Sequence, residues 1–148
     1  MHTLIEQLTK HRIAFAHYDY YAPAFLKCWE NKFVPLTAEE KEEIFLLSDR
    51  YSCGYLWHVF SYERRQHEKG TAANEAFTEH LASAYYVFGH HSDDVLIINQ
   101  PAKLTAAMFA ECEDIYVVDK VFTWSYVVTH ERSLGPYFSH YKSNALHP

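Results

Sequence analysis

The chain has 148 residues, a formal net charge of −6 and 49% hydrophobic residues. This length predicts one domain over residues 1–148, and the hydrophobic share is that of a globular protein rather than a disordered one. The Lys and Arg residues form no basic stripe, since ERRQHEK at 63–69 mixes both signs. Nucleic-acid binding through phosphates is therefore excluded, whereas an acidic surface suits a basic protein partner.

Cysteine usage indicates a reduced, cytoplasmic protein. Cys28, Cys53 and Cys112 are odd in number and widely spaced, which argues against a disulfide framework and against a structural zinc site. The segment at 1–12 lacks the apolar core of a signal peptide, and the longest aliphatic run, VLII at 95–98, is far too short to cross a membrane. No glycine-rich phosphate motif occurs, so we expect no cofactor. Cysteine pairs at ligand spacing are absent and the histidines are scattered, so we expect no metal, and the short aliphatic runs predict no membrane contact.

The first half of the chain predicts helices with two short strands among them. The predicted elements are a helix in TLIEQLTKH at 3–11, a strand in RIAFAHY at 12–18, a helix after Pro23, a helix from TAEE at 37–40 to about Leu47, and a strand in YLWHVFSY at 55–62. The TAEE segment is a capping box, because Thr37 can cap the helix while Glu40 reaches back to it.

The second half predicts two hairpins, each preceded by a helix. The predicted elements are a helical turn in ERRQHEKG at 63–70, a helix in TAANEAFTEHLAS at 71–83, strands YYVF at 85–88 and VLII at 95–98, a short helix in LTAAMFAEC at 104–112, and two strands in DIYVVDKVFTWSYVVTHE at 114–131. The tail from about residue 132 is expected to be irregular.

These elements predict an α+β domain, with a mainly antiparallel sheet of about five strands and helices packed on one face, because short loops join neighbouring strands. The strands are expected near residues 55–61, 85–89, 94–99, 114–119 and 122–130. The core is expected to contain Trp29, Phe45, Trp57, Phe77, Phe88, Ile97, Phe109 and Val117.

The loop GHHSDD at 89–94 lies between the strands of the first hairpin and is the first candidate site. His90, His91, Asp93 and Asp94 have metal-ligand chemistry, but adjacent residues of a strand point to opposite faces, so at most two could share one ion. A polar turn needs Gly, Asp and Ser in any case. We expect an exposed loop in which Asp93 or Asp94 binds backbone amides, and any function should be that of a polar rim where another molecule docks.

The second candidate is the pair His130 and Glu131, at the end of the last predicted strand. A glutamate can orient a histidine for general base catalysis, although a strand end that reaches solvent is the commoner explanation. A hairpin loop and a strand end can share one edge of a sheet, so we expect this pair near residues 90–94. We interpret His58 as a half-buried histidine and Cys53 as an inert structural cysteine.

The segments LWHVFSYE, HSDD, DIYVVDKVFTWSYVVTHE and GPYF resemble those of a small bacterial family catalogued as domain of unknown function 4275. The resemblance runs from CWE at 28–30 to GPYF at 135–138 and implies no catalytic residues. The closing pattern YVVD…W…HE is also similar to that of bacterial immunity proteins, and this likeness covers only the last third of the chain. It implies a terminal hairpin in an α+β domain that neutralises a toxin.

Three functional interpretations remain open from the sequence. The first is a non-catalytic cytosolic protein-binding module of the immunity type, which the acidic charge, the abundant aromatic residues and the lack of a catalytic signature favour. The alternative is a metal- or His/carboxylate-dependent hydrolase that uses the 90–94 loop and residues 130–131. A structural cytosolic protein without a discrete site is the third. The oligomeric state is left open.

Overall fold

The computed structural model of the protein describes residues 1–45 and 54–142. The described helices are α1 (His2–Lys10), α2 (Ala22–Phe33), α3 (Ala38–Phe45), α4 (His58–Ser61) and α5 (Thr71–His80), and 3₁₀ turns span Leu81–Ser83, Pro101–Lys103 and Ala106–Phe109. The strands are β1 (Phe15–Tyr18), β2 (Glu68–Lys69), β3 (Ala84–Gly89), β4 (Val95–Ile98), β5 (Ile115–Asp119), β6 (Trp124–Val128) and β7 (Tyr137–His140). No helix in these two ranges is long and apolar enough to cross a membrane.

The seven strands form one antiparallel sheet in the order β1-β4-β3-β5-β6-β7-β2. The α+β class and the two predicted hairpins, β3–β4 and β5–β6, are confirmed. Four of the five strands predicted for the sheet are present, and three more join them: β1 pairs with β4, β7 pairs with β6, and the two-residue β2 pairs with β7. The prediction of an irregular tail is therefore wrong at 137–140, where a short segment gains its partner through a contact that sequence periodicity does not show.

Helices cover both faces of the sheet, so the prediction of helices on one face is wrong. Ile115 and Val117 of β5 pack in a core with α1 and α5, whereas Tyr116 and Val118 pack in a second core with α2, α3 and α4. Alternate residues of a strand point to opposite faces, and all four of these side chains are buried. A strand that is apolar at every position, rather than at every second one, requires cover on both faces.

Residues 55–61 are not a strand, although their aromatic and β-branched composition predicts one. They form a turn followed by α4, and Trp57, Val59 and Phe60 are fully buried. An apolar run this short has no period that separates a buried strand from a buried helical turn. The predicted helical turn at 63–70 is also wrong, since Glu68 and Lys69 form β2.

Several local predictions are confirmed. The capping box at the start of α3 is present, with the Thr37 amide 3.2 Å from Glu40 Oε1 and the Glu40 amide 3.2 Å from Thr37 Oγ1. The continuation of this helix to Leu47 and the burial of the Phe45 side chain lie outside what the structure describes. The side chains confirmed as buried are Trp29, Trp57, Phe77, Phe88, Phe109 and Val117.

Ile97 is the one described core prediction that is wrong. It is only partly buried and lies on β4, the strand next to the edge strand β1. There it lines a surface groove of about 270 Å³ together with Tyr18, Tyr21, Phe25, Tyr86 and Val95.

Candidate functional site

The GHHSDD segment is the loop of the β3–β4 hairpin, and Asp93 and His91 at its tip are exposed. The hydroxyl of Ser92 shapes the turn by accepting a hydrogen bond from the Asp94 amide at 3.1 Å. The same hydroxyl lies 3.2 Å from Asp94 Oδ2, to which it can donate. The hairpin loop is therefore as predicted, but a serine rather than an aspartate carboxylate binds the backbone amide of Asp94.

The loop and the end of β6 meet at Asp114, a residue that the sequence did not single out. Nδ1 of His130 lies 3.0 Å from both carboxylate oxygens of Asp114, and Nε2 of His91 lies 3.9 Å from Oδ2. The backbone amide of His90 also donates to the Asp114 carbonyl at 2.9 Å. The structure therefore brings the predicted residues His90, His91 and His130 together, at the end of the sheet where β3 and β6 end and β5 begins.

Asp114 is 2% exposed and lies immediately before β5. Its φ angle of 55° is in the left-handed region, which Asp and Asn tolerate better than most residues. The indole Nε1 of Trp57 donates to Oδ1 at 2.9 Å, and the His130 amide lies 3.3 Å from the same oxygen. Burying an unpaired carboxylate costs on the order of several kcal/mol. The hydrogen bonds from Trp57 and His130 offset this cost.

Tyr55 lies among the histidines and links them to one another. Its hydroxyl is 2.5 Å from Nε2 of His91, and its ring centre is 4.7 Å from that of His90 and 4.8 Å from that of His130. On the other side the ring packs against Trp57 at 5.6 Å. The sequence predicts a strand at 55–61, and that prediction does not place Tyr55 beside the hairpin loop.

His58 and Glu131 complete this end of the molecule. Nδ1 of His58 lies 2.8 Å from Ser61 Oγ, and its ring packs on Trp57 with centres 4.1 Å apart. Burial lowers the pKa of His58, and the smaller effect of the Glu131 carboxylate opposes this. Oε1 of Glu131 is 3.6 Å from Nε2 of His130, the ring nitrogen that does not contact Asp114.

Asp94 belongs to a second group, on the other side of the loop. Nε2 of His17 lies 3.0 Å from Asp94 Oδ1 and 3.3 Å from Asp19 Oδ1. The hydrogen bond to His17 is the largest cause of a lowered pKa at Asp94. The pairing of β1 with β4, in which His17 lies opposite Leu96, creates this contact. The six predicted site residues are therefore divided, with Asp94 beside His17 and Asp93 exposed at the tip.

We define the loop edge as the surface formed by Asp19, Tyr20, Tyr55, His91, Asp93, Asp94, His130 and Glu131. Its two halves meet at a concavity of about 360 Å³, lined by Asp19, Tyr20 and residues 91–94. Tyr20 is 81% exposed, and the side chain of His91 is 56% exposed. The loop edge is thus an open surface, and the buried Asp114 beneath it contacts the rings of His130 and His91.

Cys112 offers no nucleophile for this surface, and Cys28 packs, half-buried, against the core with α2, α3 and α4. Cys112 is buried in the core with α1 and α5, and burial raises the pKa of its thiol to about 11. A thiol with so high a pKa is protonated and unreactive near neutral pH. Cys53 lies outside the described residues, so its predicted inert role stays a prediction.

The fold and the loop edge define an antiparallel α+β domain with a histidine- and carboxylate-rich edge. The chain matches the family described as Domain of unknown function (DUF4275) over residues 2–138, and it belongs to that family. No curated protein and no solved structure matches the chain.

Proposed function

We propose that this protein is a non-catalytic protein-binding module and that it binds a basic protein through the loop edge. The observation that carries the proposal is the charge of this surface. The loop edge contains the carboxylates of Asp19, Asp93, Asp94 and Glu131, and the segments 17–21, 54–58, 90–94 and 129–131 contain no Lys or Arg. Complementary charge steers the encounter of two proteins and suppresses binding of unsuitable partners.

The aromatic residues of the loop edge support the same proposal. Tyr20 and its neighbour Tyr21 are 81% and 56% exposed, and Tyr62 beside His58 is 54% exposed. Tyrosine is enriched in protein interfaces because its ring supplies a large contact area at low entropic cost, and its face attracts Lys and Arg side chains. A basic partner can therefore use both the carboxylates and the rings.

The loop edge is held rigidly where a partner would contact it. Asp114 fixes the ring of His130 from below, and Tyr55 packs against His90, His91 and His130. A surface that is ordered before binding loses less conformational entropy on association. Its exposure also favours a protein partner, because sites for small molecules enclose most of the ligand.

The proposal is tested by reversing charge at two positions. The D93K/E131K variant and a control, E75K/E79K, change the net charge equally, and the control residues lie on the exposed face of α5. Each variant and the wild type are immobilised and used to capture proteins from an extract of the source cells. We expect a basic protein that the wild type and E75K/E79K retain and that D93K/E131K loses, with at least about a tenfold weaker Kd in subsequent calorimetry.

A capture experiment in which no protein distinguishes D93K/E131K from the control would contradict this function. The first partner to test individually is a toxin encoded beside the gene, because the closing segment is similar to that of immunity proteins. Neutralisation of such a toxin by the wild type and by E75K/E79K, but not by D93K/E131K, would support the immunity-type function in particular.

One observation favours a second candidate function, acid–base hydrolysis. Nδ1 of His130 faces Asp114, which leaves Nε2 available to accept a proton from water as the water oxygen attacks an ester carbon. The leaving oxygen would then recover that proton. We expect that, for such an enzyme, turnover of p-nitrophenyl esters is lost in His130→Gln and kept in the exposed control His11→Gln. Equal rates for these two variants would exclude the candidate.

A further inference from the structure

We propose that His17, Asp19 and Asp94 bind one divalent transition-metal ion of the zinc class. One ligand atom from each residue lies within 4.8 Å of the other two. Within residues 1–45 and 54–142 this is the one group of His, Cys, Asp or Glu that meets that condition. The proposed metal site shares Asp19 and Asp94 with the surface proposed to bind a protein, and its test does not depend on that function.

The spacing of the ligand atoms fits an ion of this size. Nε2 of His17 lies 3.3 Å from Asp19 Oδ1 and 3.0 Å from Asp94 Oδ1. Around a tetrahedral zinc with bonds of about 2.0–2.2 Å, neighbouring ligand atoms are roughly 3.3–3.5 Å apart. The two distances to His17 therefore lie within about 0.5 Å of those around zinc, and the ligand atoms of the two aspartates lie within 4.8 Å of each other.

The backbone sets this spacing before any ion binds. His17 lies in β1 opposite Leu96, and Tyr18 lies opposite Val95, so the end of β1 is fixed beside the residue that precedes β4. Ser92 Oγ contacts Oδ2 of Asp94, which leaves Oδ1 directed at His17. A hydrogen bond that orients a ligating carboxylate in this way is typical of metal sites.

The chemistry of the three groups favours zinc-class ions over magnesium or calcium. Imidazole nitrogen suits zinc, cobalt and nickel, whereas magnesium and calcium prefer oxygen ligands alone. Three protein ligands leave a fourth position open, as in catalytic zinc sites. The concavity of about 360 Å³ lined by Asp19 and Asp94 lies beside the group, so water or a further ligand such as Asp93 has access to that position.

This site differs from the sequence-based expectation of no metal, which rested on the cysteine spacing and on the scatter of the histidines along the chain. Histidines that are scattered in sequence can still meet aspartates in the fold, and the pairing of β1 with β4 brings His17 to Asp94.

The test is calorimetry with Zn²⁺, supported by the absorption spectrum of Co²⁺, on tag-free protein that has been stripped with a chelator. We expect one ion per chain and visible cobalt bands of a site with nitrogen and oxygen ligands. The variants His17→Ala and Asp94→Asn should bind at least about tenfold more weakly, because each removes one of three ligands. The matched control is H2A/E6Q, which removes an exposed histidine–carboxylate pair 3.0 Å apart on α1.

Binding that H2A/E6Q leaves unchanged and that both site variants weaken would support the site. Failure to saturate below about 1 mM Zn²⁺ would overturn it, as would equal affinity in the wild type and His17→Ala. Circular dichroism of each variant shows whether the fold is kept. Since these three residues are on the surface, a loss of metal binding together with a native spectrum cannot be attributed to unfolding.

Discussion

Two buried charges lie at opposite ends of the sheet, and they are stabilised in different ways. Arg65 is 1% exposed, and its guanidinium donates to Ser139 Oγ at 2.9 Å and to the carbonyls of His140 and Tyr141 at 2.6 Å. Asp114, at the other end, receives hydrogen bonds from the side chains of Trp57 and His130. The partners of Arg65 are mostly backbone atoms, whereas those of the Asp114 carboxylate are mostly side chains.

This difference separates a structural charge from one that can serve a function. The carbonyls that Arg65 binds lie at the end of β7 and cannot move without disturbing the sheet. We therefore interpret Arg65 as a residue that stabilises this end of β7. Burial lowers the pKa of Arg65 to about 10, so it remains charged at neutral pH. One partner of Asp114, His130, is part of the loop edge, so we expect a change at Asp114 to alter that surface.

The largest effect is expected for Arg65→Met. The substitution leaves a buried hydroxyl and two carbonyls without their charged donor, and we expect a loss of about 3–5 kcal/mol in the free energy of unfolding. The control is Arg64→Met, since Arg64 is exposed and forms one surface ion pair with Glu40. Urea denaturation should show less than about 1 kcal/mol for the control. Similar losses in the two variants would mean that Arg65 has no special structural role.

The next largest loss of stability is expected at Asp114. Two variants distinguish the contribution of the carboxylate charge from the strain of the positive φ angle. Asp114→Asn keeps a residue that tolerates a positive φ, so a loss of about 1–2 kcal/mol would reflect the weaker hydrogen bonds alone. Asp114→Ala adds the strain of a left-handed alanine and should cost about 1 kcal/mol more. If the two variants were equally stable by urea denaturation, the backbone at Asp114 would not be strained.

The variant Asp114→Asn also tests whether Asp114 holds the ring of His130 at the loop edge. In the wild type the ring of His130 is held through Nδ1, and NMR should show its Nδ1 proton protected from exchange with solvent. In Asp114→Asn that protection should fall, while the resonances around Arg65 stay unchanged. Perturbation of both ends of the sheet would instead indicate a general loosening of the fold.

The sequence predicted what depends on local pattern and missed what depends on distant contacts. The hairpins 85–98 and 114–131 each have two β-branched and aromatic runs joined by a short polar turn, and this local pattern predicts a pair of strands. The strand β7 was missed because its four residues acquire a partner only when β6 is beside them. Residues 55–61 were misassigned because a buried helical turn and a buried strand have the same composition.

The candidate site was also predicted only where it depends on local pattern, and its distant contacts were missed. The shared edge of the 90–94 loop and His130 follows from the connectivity of two hairpins. Asp114 was missed because it stands at the start of the apolar run IYVV and was assigned to the strand. A charged residue directly before a fully buried strand is a signal that could have identified it, since such a position is costly unless the charge is paired.

The third effect is a dependence of the free energy of unfolding on pH, which we expect from the titration of His58. Burial lowers its pKa, so the folded protein binds this proton less readily than the unfolded chain, whose histidines titrate near about 6.5. Stability should therefore fall as the pH drops below about 6.5, and the fall should end below the pKa of the folded state. The slope for one proton is at most about 1.4 kcal/mol per pH unit.

Denaturation across this pH range is compared for the wild type, His58→Asn and Ser61→Ala. We expect His58→Asn to remove that part of the slope, because asparagine does not titrate. Ser61→Ala loses the 2.8 Å contact with Nδ1 but keeps a half-buried histidine, so most of the slope should remain. A slope in His58→Asn equal to that of the wild type would show that other groups cause the acid sensitivity.

The smallest effect is expected for Asp93→Ala, at the tip of the loop edge. The Asp93 side chain is exposed, and its structural contact is made by its carbonyl, which accepts the Ala22 amide at 3.1 Å in any variant. The free energy of unfolding should therefore change by less than about 0.5 kcal/mol. The control Ser92→Ala removes the hydroxyl that binds the Asp94 amide and should cost about 1 kcal/mol. If Asp93→Ala proved the more damaging of the two by urea denaturation, the aspartate would shape the turn, and its carboxylate would not be free for a basic partner.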